Sequence, residues 1–74
     1  MDRQYCDRMG RHLAQLRQDA GLTQEQLTAR LQVQGCDLTR SALAKIEVGQ
    51  RHLYPDEIKA LTIALSIGYE QLFI

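Results

Sequence analysis

Arg40, Ser41 and Lys45 are three hydrogen-bond donors set close together in a 74-residue chain, with Leu43 and Ile46 interleaved among them. On a helix these residues separate into a donor-rich front and an apolar back. A short helix of that kind, its back on a core and its front in solvent, is what reading base edges in the major groove of DNA requires. No other constellation in the chain offers comparable chemistry. There is no nucleophile–base pair, no carboxylate pair and no phosphate-binding loop, and a domain this small leaves no room for a substrate pocket. The sequence therefore reads as that of a non-enzyme with no cofactor.

The elements that must hold this front in place are legible from periodicity and capping. A first helix is expected over 3–20, with Asp2 as N-cap and Gly21 as a left-handed C′ residue. Its buried stripe is Met9, Leu13, Leu16 and Ala20. A second helix starts after Thr23, which forms a capping box with Gln26. Leu27 and Leu31 lie on its inner face, continued by Val33 or Gln34, and Gly35 ends it. The donor-bearing helix spans 40–48, with Thr39 as N-cap and Gly49 as stop. A fourth opens at Pro55, whose fixed φ suits a first turn, with Asp56 and Glu57 at the positive end of the helix dipole. Its stripe is Ile58, Leu61, Ala64 and Leu65, and Ile67-Gly68 ends it. A brief fifth helix runs from Tyr69 to the terminus.

Length bounds the chain to one domain, 1–74, that buries roughly 60% of its unfolded surface. Aromatics make up 5% and Trp is absent, so the core must come from Leu, Ile, Ala and Met in an all-α fold. No apolar run is long enough to cross a membrane, and the polar start is not that of a secretory signal, so a cytoplasmic setting is expected. Cys6 and Cys36 lack metal-ligand spacing and read as reduced thiols; His12 and His52 are too far apart to suggest a metal site. Nine basic and nine acidic residues give zero net charge, which argues mildly against a nucleic-acid partner. The distribution argues the other way. Residues 39–52 carry Arg40, Lys45 and Arg51 against Glu47, whereas residues 53–74 carry Lys59 against Asp56, Glu57 and Glu70.

Two charges break the apolar pattern. Arg17 edges the core side of helix 1 and Glu47 points to the core side of helix 3. A buried charge is costly unless paired, so the two either meet or reach solvent separately.

Taken in order, Leu16-Arg17, Gly21-Leu22-Thr23-Gln24-Glu25-Gln26-Leu27, Leu43-Ala44-Lys45-Ile46-Glu47-Val48-Gly49 and Ala60-Leu61-Thr62-Ile63-Ala64-Leu65 resemble a Cro/phage-repressor helix-turn-helix domain of the xenobiotic-response-element type. The resemblance covers nearly the whole chain. It implies five helices, a double-stranded DNA operator as ligand, a dimer, and a buried Arg17–Glu47 ion pair. It implies that Thr39, Arg40, Ser41, Ala44 and Lys45 face the bases. The Arg40 fork would suit guanine O6 and N7, and Ala44 a thymine methyl. It further implies phosphate contacts at Gln24, Gln50, Arg51 and His52. Two departures stand out. Thr28 replaces the family's usual Ala, and the spacer from Thr28 to Thr39 is long, which predicts an extended helix 2 and helix 2–3 connection.

The reading is thus a sequence-specific transcriptional regulator. The alternative is a protein-interaction module, such as an antitoxin or anti-regulator, that keeps the fold. A homodimer on a near-palindromic operator is expected, closed through Tyr69, Leu72, Phe73 and Ile74. The competing expectation for that end is that Leu72 and Phe73 merely cap the core while Ile74 frays.

Overall fold

The computed structural model describes the backbone of residues 3–73 and the side chains of 4–73. Five helices follow one another: α1 (Arg3–Asp19), α2 (Gln24–Val33), α3 (Arg40–Glu47), α4 (Pro55–Leu65) and α5 (Tyr69–Leu72). Asp2, the expected first cap, lies outside the described residues, as does Ile74.

Local chemistry sets each boundary. Gly21, Gly35 and Gly49 take positive φ two residues beyond the last residues of α1, α2 and α3, where a side chain would be strained. At the start of α2 the Thr23 hydroxyl accepts from the Gln26 N–H (3.1 Å), and the Gln26 amide oxygen accepts from the Thr23 N–H (2.9 Å). Three expected ends move, that of α3 by one residue to Glu47. α1 stops at Asp19, and Ala20 is an exposed turn residue rather than part of the buried stripe. α4 stops at Leu65 on Ser66, which adopts the left-handed conformation (φ 56°) in place of the anticipated Ile67-Gly68 stop.

The core is assembled mainly from leucines: Leu13, Leu27, Leu31, Leu43, Leu61 and Leu72 are fully enclosed. α2 is extended as its sequence suggests, but its last turn leaves the core. Val33 is 85% exposed and Gln34 is also exposed, so neither continues the inner face. Leu31 is the last inward residue of α2, and the long connection brings Leu38 back into the cluster before α3 begins. Thr28 is buried where a small apolar residue is usual. Its hydroxyl donates to the Glu25 carbonyl (3.0 Å), which makes the substitution tolerable.

α1 packs on α3 and α5, and α4 on α2 and α5. The α1–α3 contact is backbone to backbone. A Cβ on Gly10 would stand 2.7 Å from the Glu47 carbonyl oxygen and closer still to that of Ile46. One turn earlier, Asp7 lies against Gly49 so closely that a side chain there would collide with its carboxylate. The glycine in the middle of α1 is thus the point at which α3 is seated.

Helix propensity alone would favour Gly10→Ala by about 1 kcal/mol. The carbonyl groups it would strike belong to the backbone and cannot swing aside, so overpacking prevails. We expect a net loss of about 1–3 kcal/mol in urea unfolding. A variant as stable as the parent would show that α1 and α3 are not in such close contact.

Candidate nucleic-acid interface

α3 is held at its start by an exposed cap and at its end by a buried carboxylate. At its start, the Thr39 hydroxyl accepts the Ala42 N–H (3.0 Å), satisfying one of the free donors of the first turn. Thr39, expected to face bases, is exposed; its hydroxyl accepts the cap bond and keeps its O–H and a second lone pair. At the far end stands Glu47. Its Oε2 accepts from Arg17 Nε (2.8 Å), while Oε1 accepts from Arg17 Nη2 (3.1 Å) and Gln24 Nε2 (3.0 Å). Arg17 uses its remaining arm, Nη1, on the Leu22 carbonyl (2.8 Å). The two side chains are only 12% and 6% exposed. A fork-to-fork pair with its other donors occupied is the geometry in which a buried ion pair offsets its own desolvation. It ties α1, the start of α2 and the end of α3 together.

Leu43 and Ile46 point into the core, and Arg40, Ser41 and Lys45 stand exposed on the front, with Ala44 half-buried beside them. Gln24, half-buried, gives one amide hydrogen to Glu47. Across the cleft between the starts of α2 and α3, Arg40 Nε lies 3.9 Å from Glu25 Oε1.

The segment after α3 departs from expectation. Gln50 is exposed and its N–H bonds the Lys45 carbonyl (2.8 Å). His52 is exposed as well, its Nδ1 3.9 Å from the buried Cys6 thiol. Arg51, however, is not a free phosphate contact. Its Nη1 and Nη2 bond Glu57 Oε1 and Oε2, each at 2.9 Å, Nη1 also reaches the His52 carbonyl (2.8 Å), and the guanidinium lies over the Tyr54 ring. Glu57 further accepts the Tyr54 N–H (3.0 Å). The pair therefore fixes the loop between α3 and α4. Glu57 is the structural residue that sequence reasoning missed. Its position, third in α4 after the N-cap Tyr54, is the capping-box position and was the available signal.

Leu72 is also reassigned. It is fully buried in the domain's own core, whereas its neighbours Tyr69 and Phe73 are exposed. α5 is fastened to α1 by a hydrogen bond between His12 Nε2 and the Gln71 carbonyl. A subunit contact at this end can use Tyr69 and Phe73 but not Leu72. Among the described residues no cluster of His, Cys, Asp and Glu could hold a metal ion, and no helix is long and apolar enough to cross a membrane.

An extended α2, a long turn and a short α3 with a polar front, braced by α1 and α4, define a helix-turn-helix. The chain belongs to the helix-turn-helix domain family, whose profile matches residues 8–68. It is similar to the restriction-modification controller protein C.AhdI from Aeromonas hydrophila, known from a high-resolution crystal structure. The two share 34% identity over 92% of this chain and 96% of that one, with a TM-score of 0.80. No curated protein matches the chain.

Two measurements follow from the buried groups. Glu47→Ala strips Arg17 and Gln24 of their acceptor in a nearly closed site, and urea unfolding should show a loss on the order of 3–5 kcal/mol. A midpoint equal to that of the parent would remove the pair from the account of α3 positioning. At the other pair, the Arg51 hydrogen bonds hold the Glu57 carboxyl below the ordinary glutamate value, against the opposing effect of burial. Its contribution is then present above the ordinary glutamate range and is lost as pH falls through the lowered value. The melting-temperature gap between the parent and Arg51→Met should therefore be open at neutral pH and close in acid. A gap independent of pH would mean that Arg51 acts through the His52 carbonyl and the Tyr54 ring rather than through Glu57.

Proposed function

We propose that this helix-turn-helix protein is a sequence-specific DNA-binding transcriptional regulator that reads the major groove with α3. The observation that carries the reading is the two-sided character of that helix. Its back is locked by Leu43, Ile46 and the Arg17–Glu47 pair, and its front presents Arg40, Ser41 and Lys45 to solvent. A side chain can discriminate bases only if its helix is held in a fixed register, and the buried network supplies that constraint. In this reading Arg40 and Ser41 take base edges, Ala44 meets a thymine methyl, and Lys45 takes a base edge or a phosphate. Gln24, Gln50 and His52 contact the backbone, with the α2 N-terminus adding free N–H groups. The similarity to a restriction-modification controller protein supports a role in controlling such a system. The protein acts in the cytoplasm, by binding rather than by catalysis.

One α3 spans too few base pairs to single out a site in a genome. The functional unit is therefore a homodimer that places two α3 helices about 34 Å apart on a near-palindromic operator. The exposed rings of Tyr69 and Phe73 on α5 support that end as the subunit contact.

Duplexes selected from a random pool, titrated against salt, test the whole reading. Arg40→Ala should cost about 1–3 kcal/mol on the selected site and relax one base position. Lys45→Ala, if Lys45 holds a phosphate, should weaken all duplexes alike and lower the salt slope by about one. Sedimentation of the complex should give two chains per site. Absence of any salt-dependent duplex binding would favour the protein-interaction module instead.

A further inference from the structure

We propose that Glu25 is a specificity-determining positioning residue, which steadies Arg40 through its Nε and leaves the outer fork of the guanidinium for a base. The proposal rests on the reading of Arg40 given above. The contact is Arg40 Nε to Glu25 Oε1 at 3.9 Å, across the open cleft between the starts of α2 and α3, with the two side chains 62% and 80% exposed. Among the guanidinium nitrogens, Nε is set back on the stem. Nη1 and Nη2 form the outer edge, which matches the paired acceptors O6 and N7 of guanine. A carboxylate facing Nε at ion-pair distance therefore biases the orientation of the side chain without consuming the recognition edge.

The place of Glu25 adds a second effect. It sits in the first turn of α2, where free N–H groups would draw a phosphate of any sequence. A carboxylate at that point opposes the duplex backbone. Docking on an arbitrary sequence then sets Glu25 against phosphate with no compensation. Docking where a guanine fills the Arg40 fork keeps the Glu25–Arg40 pair in a cleft from which water has been displaced, and there the attraction is stronger than in bulk solvent. Repulsion from wrong partners is one of the two routes to discrimination. This explains why an acidic residue stands next to Gln24 on a surface that must approach a polyanion.

The test compares the parent, Arg40→Ala, Glu25→Gln and the double variant on the selected duplex, on its single base-pair variants and on random duplex. Arg40→Ala should lose about 5- to 150-fold at one base pair. Glu25→Gln should reduce discrimination at that same base pair by about two- to five-fold. It should also bind random duplex more tightly than the parent, and it should add nothing at that position once Arg40 is gone. If Glu25→Gln tightens every duplex equally and leaves base preference intact, Glu25 is only a local charge and the proposal fails. If instead Arg40→Ala relaxes no base position, the reading of Arg40 itself falls, whatever Glu25 does.

Discussion

The Arg17–Glu47 pair is the interaction on which the rest of the molecule depends. It is nearly enclosed, and Glu47 accepts three hydrogen bonds from two other helices. Three elements separated by up to 30 residues of chain are thereby given one relative orientation. Apolar packing around Leu13, Leu27 and Leu43 supplies the driving force, but packing is non-directional and tolerates small rotations. A fork meeting a carboxylate tolerates far less. The close approach at Gly10 then removes the remaining slack, because α1 and the end of α3 touch through backbone.

The same accounting explains why net charge is a poor guide to this protein. Its balance is zero, yet several cations are engaged in contacts within the domain. Arg17 is spent on Glu47, Arg51 on Glu57, and Arg30 donates to the Ala64 carbonyl at 3.2 Å. These groups fasten α1 to α3, the loop to α4, and α2 to α4. What is left on the front of α3 is Arg40 and Lys45, with Glu25 as the facing acid.

Much of this was legible in the sequence because it obeys local rules. Thr23 with Gln26 and Thr39 before Arg40 mark helix starts through short-range hydrogen bonds, and Gly21, Gly35 and Gly49 mark stops through φ. Arg17 and Glu47 are legible because each is a charge on a core-facing position, and a charge there demands a partner. What was not legible depends on geometry that periodicity does not carry. Val33 falls on the pattern of α2, but α2 outlasts the core beneath it. Arg51 looks like another cation of a basic loop; its partner lies six residues on, across a turn whose path no local rule dictates. α5 is one turn long, too short for its pattern to tell which of Leu72 and Phe73 faces inward.

The two fastenings of α3, the exposed Thr39 hydroxyl at one end and the buried Glu47 carboxylate at the other, use none of Arg40, Ser41 and Lys45. Arg40, Ser41 and Lys45 can accordingly be exchanged one at a time without loosening the helix that bears them. On the proposed reading, stability and readout are thus inherited on separate residues. A lineage built on this domain can drift from one operator to another through folded intermediates, and its members would differ most where the structure depends on them least.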